Sequence, residues 1–390
     1  MSDYRKYWGI DPQITYLNHG SLGNCPLAVL EKQTELRRRM EAELITFVDR
    51  DLEGLLFDAL RALADFVGAQ AEDVVFVENA TTGVNAVLRS LTFAEGDELL
   101  TTNHEYNACK NALHFVADRF GATVEVADIP FPIQSSDQVY NALMAKVTNR
   151  TRLLMISHLT SPTALLFPVE RIVDELNQRG IDTLIDGAHV PGMLPLNLDE
   201  LGAAYYTGNC HKWMCTPKGS GFLHVRRDKQ AQIRPLTISH GANSRRTDLS
   251  RFQLEFGWTG TKDYTPWLCV PIAIKHINEI FPGGWSALME RNRNLTLEMR
   301  GEVCNALGVE PPCPDDMLGA MAALPLPDGD SAPPPMEFDP LQNKLFHQFH
   351  LEIPVISWPV PPKRLLRYSV QIYNSREDLL RLTSVLYEVL

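Results

Sequence analysis

Six short runs rich in β-branched and apolar residues, each followed by a different texture, constrain the fold of this chain more than any other feature. They are "DVVFV" (73–77), "DELLTTN" (97–103), "ATVEVADI" (122–129), "TRLLMISHL" (151–159), "DTLIDGAH" (182–189) and "AAYYTGN" (203–209). Helix-period stretches such as "TTGVNAVLRSLT" and "NACKNALHFVADRFG" stand between them. Strand-length runs alternating with helices build βαβ units. The pattern therefore predicts an α/β fold, a mostly parallel central sheet with helices on both faces. Ligands of such sheets bind beyond the carboxyl ends of the strands, so polar residues at those ends are the first candidates for a site.

After about Pro266 the pattern changes. Helical segments "CVPIAIKHINEIF" and "ALMERNRNLTLEMRGEVCNAL" lead into a Pro-rich stretch, "PPCPDDMLGAMAALPLPDGDSAPPP", read as loop around one short apolar strand. "LLRYSVQIY" and a last helix, "EDLLRLTSVLYEV", close the chain. The division expected is a large domain over 16–265 and a smaller α+β domain over 266–390, with residues 1–15 packing near the latter. "LAVLEKQTELRRRMEAELITFV" reads as a helix near the N-terminus. A length of 390 residues suits two domains.

A net charge of −12, with no basic run longer than Arg37-Arg38-Arg39, argues against nucleic acid or an anionic membrane as partner. No apolar run approaches the ~18 residues that span a bilayer. The opening "MSDYRKYWGIDPQ" lacks an apolar export signal, and seven irregularly spaced cysteines without C-x-x-C suggest reduced thiols. The expectation is a cytoplasmic protein.

Four strand-end segments carry the chemistry. "FVENATTGVNAVLRSL" places Thr81 and Thr82 where a helix begins, a corner suited to a phosphate, although an ordinary N-cap uses the same residues. "NHEYNA" puts His104 just past a strand, able to stack on a flat ring, to bind a metal or simply to be a satisfied structural histidine. In "TLIDGAHVPG" Asp186 ends an apolar strand, where an unpaired carboxylate is costly; a cationic partner is expected, with a cap or salt bridge as the plainer account. In "YYTGNCHKWMCTPKGSGFLHV" Lys212 stands among apolar and small residues, which lowers an amine's pKa toward the nucleophilic range in which lysine forms Schiff bases. Pyridoxal 5′-phosphate satisfies all four: its aldehyde needs a lysine, its ring nitrogen an acid, its phosphate a helix start and its face a flat side chain. A metal held by His104, Asp186, His189 and His211 would leave Lys212 and the threonine corner unused. The lone "GSG" at 219–221 precedes a strand, the wrong context for a dinucleotide fingerprint.

The ordered set "NATTGVNAV", "HEYNA", "SHLTSPTAL", "DGAHVPG", "YYTGNCHKW", "GWTGTKD" and "RYSVQIYN" resembles the class V aminotransferases of pyridoxal-phosphate fold type I. The likeness is nearest to the isopenicillin N epimerase-like branch, which also includes cysteine desulfhydrases and related C–S lyases. It extends from Tyr16 to about Asp378. The resemblance implies that Lys212 links to the cofactor, Asp186 pairs with the ring nitrogen and His189 sits by the ring hydroxyl. It places His104 on the ring face and Thr81, Thr82 and His211 at the phosphate. It implies a homodimer with a shared site, Thr261 reaching the partner's phosphate, and Arg367 taking the substrate's α-carboxylate. Asn18 falls on the substrate side, or is a polar turn residue; either Ser161 or Thr163 contacts the cofactor.

Cysteine desulfurases of this superfamily carry a nucleophilic cysteine on the loop before that arginine; here "EIPVISWPVPPKRLLRYSV" has none. The expected enzyme removes the α-proton of an amino acid. Return of the proton from the other face (epimerisation), loss of a sulfur group from the β-carbon, and transamination are the three continuations. A non-enzymatic cofactor-binding module is the alternative from another class.

Overall fold

Alternating side chains on the central strands go to opposite faces of one sheet, and both faces are buried. The computed structural model describes residues 2–329 and 337–390. The end of the Pro-rich stretch (330–336), read above as loop, lies outside the described residues. Among them the strands are β1 (Thr15–Tyr16), β2 (Val74–Val77), β3 (Glu98–Thr102), β4 (Thr123–Ala127), β5 (Thr151–Ser157) and β6 (Asp182–Asp186). β7 (Tyr205–Asn209), β8 (Gly221–Val225), β9 (Met321–Pro325), β10 (Leu351–Glu352), β11 (Val355–Ser357) and β12 (Arg364–Ser369) follow.

Seven strands form the main sheet in the order β2-β8-β7-β6-β5-β3-β4. The contacts from β7 through β4 are parallel, and β8 runs antiparallel between β2 and β7. Val75, Leu99, Leu153, Leu184 and Tyr205 pack on one face with the helices Ala80–Ser90 and Asn107–Phe120. Their neighbours Phe76, Leu100, Leu154, Ile185 and Tyr206 pack on the other, with residues of the helices Leu52–Val67 and Val169–Gln178. A sheet buried on both sides explains why these strands read as continuous apolar runs. The α/β class with a mostly parallel, doubly covered sheet is the one the alternation predicted.

The helix predicted over 27–48 stops at Ala42, where Glu43 leaves helical geometry (φ −146°, ψ 65°). The helices Leu52–Val67 and Pro340–Phe349 carried no expectation. The second of these lines the site. Toward the C-terminus, β11, β12 and β9 form a separate antiparallel sheet, and the long helix Gly284–Leu307 packs near it. The N-terminal residues join this region: β1 pairs with β10, and the Ser2 hydroxyl donates to the Ile372 carbonyl at 2.9 Å. Two close approaches aim at the site. Gly23 has φ +71°, and a Cβ there would lie 2.1 Å from the His211 carbonyl oxygen, so the N-terminal loop presses on the Lys212 backbone. A Cβ on Gly83 would lie 2.1 Å from Thr207 Oγ1, which lets the helix Ala80–Ser90 settle against β7.

Candidate active site

The ends of β5, β6 and β7, the start of the helix Ala80–Ser90 and the loop Asn18–Leu22 enclose one cavity of about 1040 Å³. Gln342 and Phe346 of the helix Pro340–Phe349, with Glu352, Val355 and Arg367, supply more of its wall. Of the residues singled out from sequence, Asn18, Thr81, Ser161, Asp186, His189, His211, Lys212 and Arg367 line it. His104, Thr82, Thr163 and Thr261 do not.

Lys212 follows β7 by three residues. Burial pulls its amine from 10.5 down to about 8, with the Asp186 charge opposing and Arg367 assisting. The Trp213 indole N–H can only donate, so at 3.5 Å His189 Nδ1 accepts and the ring proton sits on Nε2, 3.3 Å from Lys212 Nζ. Burial first, then the Lys212 charge, keep His189 well below its usual range and therefore neutral. Behind the lysine, buried His19 contacts the Lys212 carbonyl at 3.0 Å and the Tyr373 hydroxyl at 2.7 Å, fixing that backbone.

Asp186 closes β6 and is only 4% exposed. Its carboxylate accepts from the Ala188 amide at 3.0 Å and from the Cys109 thiol at 3.3 Å. The cation expected beside it from sequence is not among its bonded partners. Both partners are uncharged donors, and the carboxylate lines the cavity.

At the helix start, the Asn209 side chain takes the Ala80 amide at 2.8 Å, and Asn79 caps the Thr82 amide at 2.9 Å. Thr81 lines the cavity at the positive end of an 11-residue helix, a ready anion site. Thr82 was expected at the phosphate; instead its amide and its hydroxyl both bond Asn79 Oδ1, and the N-cap has absorbed it. His211 Nδ1 donates to the Ser220 carbonyl at 2.7 Å, and burial lowers its ring to about 4. The neutral ring thus carries its lone pair at Nε2.

His104 requires the clearest correction. It is fully buried, with Nε2 bonded to the Ile129 carbonyl at 2.9 Å and Nδ1 to Thr163 Oγ1 at 2.7 Å. Its ring lies against Phe131, Phe167 and Trp358 and does not line the cavity, so it packs the turn after β3. Tyr106, at the N-cap of the helix Asn107–Phe120, is the aromatic side chain that this turn gives to the cavity. Of the pair left open in sequence, Thr163 bonds His104, whereas Ser161 lines the cavity. Thr261 is exposed, in a segment tied down by Lys262, which pairs with Glu78 at 2.7 Å.

Arg367 has the most telling environment. It is 3% exposed, donates to the Ser161 carbonyl and hydroxyl and to Ser21 Oγ, and leaves Nε without a partner. Among the described residues no carboxylate pairs with it. Burial lowers its pKa from 12.5 to about 10, so it remains charged at neutral pH. A buried, uncompensated guanidinium on a cavity wall is built to receive an anion. A network continues from it: Ser21 to Asn18, and the Asn18 amide to Glu352 at 2.8 Å. Asn18 thus serves as a link in the wall. Sequence reading missed Ser21, Tyr106, Ser157, Asn209 and Glu352. Asn209 and Tyr106 stood inside quoted motifs and could have been found by their strand-end position; Ser21 and Glu352 bore no such signal.

A half-buried amine of lowered pKa, a buried strand-end carboxylate and a helix-start anion corner in one cavity match the donor set that pyridoxal 5′-phosphate requires. The fold and this site define a pyridoxal-phosphate enzyme of the α/β type. The aminotransferase class-V family model matches residues 30–302, and the chain belongs to that family, whose members use this cofactor. The isopenicillin N epimerase of Amycolatopsis lactamdurans is 36% identical over 99% of this chain and 97% of its own length. A probable chloroplastic L-cysteine desulfhydrase of Arabidopsis thaliana is 28% identical over 95% of this chain and 82% of its own. In three dimensions the chain is similar to a C-DES mutant carrying glycine covalently linked to the cofactor, with TM-score 0.84, 20% identity and coverage of 98% and 99%. At that identity the likeness concerns the fold.

Proposed function

We propose that this chain removes the α-proton of an amino-acid substrate and returns it to the opposite face, an epimerase acting on isopenicillin N or a similar amino acid. The observation that carries the amino-acid reading is Arg367, a buried guanidinium without a counter-ion in the cavity that holds Lys212. Its free Nε and forked geometry suit an α-carboxylate. Similarity to the isopenicillin N epimerases over nearly the whole chain supports the choice of epimerisation. When bound, pyridoxal 5′-phosphate supplies a ring that withdraws electrons from the α-carbon.

The chain does the rest. Lys212 would hold the cofactor's aldehyde carbon and, as a free amine of pKa about 8, would take the α-proton at Nζ on its own face; return to the opposite face needs a second proton donor across the ring. Asp186 would pair with the ring nitrogen, and the His189 Nε2 proton would serve the ring hydroxyl. The Thr81 corner and His211 hold the phosphate. A homodimer in which Thr261 reaches the partner's phosphate is part of the proposal, as are a cytoplasmic location and the division into 16–265 and 266–390.

A second reading, β-elimination of a sulfur group, shares the proton-removal step and is supported by similarity to cysteine desulfhydrases. Desulfurase chemistry through a protein persulfide is not supported, because none of the seven cysteines lines the cavity. Purified protein incubated in D2O with isopenicillin N, L-cysteine and a panel of L-amino acids separates the readings. α-Deuterium with inversion is the result expected; pyruvate and sulfide from cysteine would replace epimerase by lyase. A keto acid dependent on an added amino donor would indicate transamination.

A further inference from the structure

Directly beneath the site lies a second buried carboxyl group to which the chemistry above gives no task. Glu105 occupies the turn between β3 and the helix Asn107–Phe120, is 3% exposed and does not line the cavity. Three donors converge on it: the Ser157 amide at 2.9 Å, the Ser157 hydroxyl at 2.7 Å and the Thr102 hydroxyl at 3.0 Å. No cation pairs with it among the described residues. Ser157, which does line the cavity, is the register partner of Asp186 on the adjacent strand. Neighbouring strands run about 4.8 Å apart, so the two carboxyl groups flank a single serine.

We propose that Glu105 is a positioning residue whose buried carboxylate, held on the strand neighbour of Asp186, adds to the negative field there and so strengthens the site's hold on the protonated ring nitrogen of pyridoxal 5′-phosphate. This rests on the role proposed for Asp186 above. A buried negative charge in a poorly polarisable interior attracts a cation arriving at the neighbouring strand position, so binding is favoured more strongly than by Asp186 alone. The remaining groups facing the pair leave room for this effect. Cys109 donates its thiol to Asp186 and stays neutral because burial raises it, and the Lys212 amine interacts electrostatically with Asp186. His104, next in the chain, is bonded away and neutral at about 4. Burial, partly offset by the Ser157 bonds and reinforced by Asp186, holds the Glu105 carboxyl at about 7. Its charge is therefore present above neutrality and lost as pH falls through that value.

The test uses pyridoxamine 5′-phosphate, which carries the ring nitrogen and phosphate but cannot link to Lys212. Its dissociation constant is measured by calorimetry between pH 6 and 8.5 for the wild type, Glu105→Gln, Asp186→Asn and the double variant. Glutamine retains acceptors for the Ser157 amide and Thr102 and can donate to the Ser157 hydroxyl, so the turn is expected to survive. At pH 8 Glu105→Gln should bind about tenfold more weakly, through the loss of one buried negative charge beside Asp186. Its affinity should also change less with pH than that of the wild type; the ligand's phosphate titrates alike in both, so the difference reports Glu105. In the Asp186→Asn background the Glu105→Gln change should have no further effect, as required of a residue acting through Asp186. Equal affinities and parallel pH profiles for wild type and Glu105→Gln would overturn the proposal, as would an undiminished effect in the Asp186→Asn background. If Glu105→Gln does not fold, the comparison of wild type with Asp186→Asn decides: loss of the pH dependence near 7 supports the proposal, and its persistence overturns it. Failure of the wild type to bind the probe at pH 8 would overturn the cofactor reading of Asp186 as well.

Discussion

Replacing Arg367 by methionine should separate function from stability. Methionine is long, unbranched and apolar, so it fills much the same space without charge. Burial draws the guanidinium from 12.5 to about 10, which corresponds to roughly 3 kcal/mol against the charged form in the folded chain. The group is nonetheless charged in both folded and unfolded states at pH 7, so the folded state carries that cost in full. Offsetting it are the hydrogen bonds to Ser161 and Ser21, each worth about 1–3 kcal/mol. The two sides nearly cancel, so the expected net effect on the cofactor-free protein runs from about 1 kcal/mol of added stability to about 3 kcal/mol lost. Substrate binding should fall by more. Loss of a desolvated charge pair with the α-carboxylate costs about 3–5 kcal/mol, or a rise in KM of about 10²- to 4 × 10³-fold. Denaturant unfolding of the cofactor-free protein gives the first quantity, and the substrate dependence of α-deuterium incorporation gives the second. A variant that is destabilised by more than about 3 kcal/mol while its KM stays within threefold of wild type would show that Arg367 is a structural strut, and the amino-acid reading would lose its main support.

Other consequences are open to simpler checks. Borohydride should fix the cofactor to Lys212 in the wild type, with a mass adduct on that peptide, and Lys212→Ala should show none. Because the amine titrates near 8, cofactor capture by the cofactor-free protein should speed up about tenfold from pH 6 to 7 and level off above 8; a rate still climbing at pH 10 would contradict a depressed pKa. His104→Ala should lower the melting temperature yet leave α-proton exchange at full cofactor loading within about tenfold, since the ring packs a turn. Tyr106→Ala should disturb the cofactor spectrum instead. Gly83→Ala forces a methyl onto Thr207 Oγ1 and should cost about 1–3 kcal/mol together with weaker phosphate retention, read by cofactor release on dialysis.

Much of the site was legible because strand ends in a parallel sheet are sequence-local. Lys212, Asp186 and Thr81 each lie within a few residues of a strand whose apolar run announces it, and a lone acid or amine after such a run is conspicuous. His104 shows where that legibility ends. It stands two residues from Tyr106 in the same turn, and only the course of the backbone after β3 decides which of the two aromatic rings enters the cavity. Thr82 failed for a related reason: in a first helical turn, neighbouring hydroxyls compete for one cap, and Asn79 holds Thr82.

The sequence alone determined the α/β alternation, the doubly buried sheet and the chemical kind of site, because strand period, apolar runs and the scarcity of buried amines and acids are local properties. Tertiary structure alone brought Arg367, Ser21 and the helix Pro340–Phe349 to the same cavity and tied Glu105 through Ser157 to the neighbour of Asp186. Those meetings join residues up to 346 positions apart. No local pattern encodes such distances; they follow from how the sheet closes its faces and where the C-terminal segment packs.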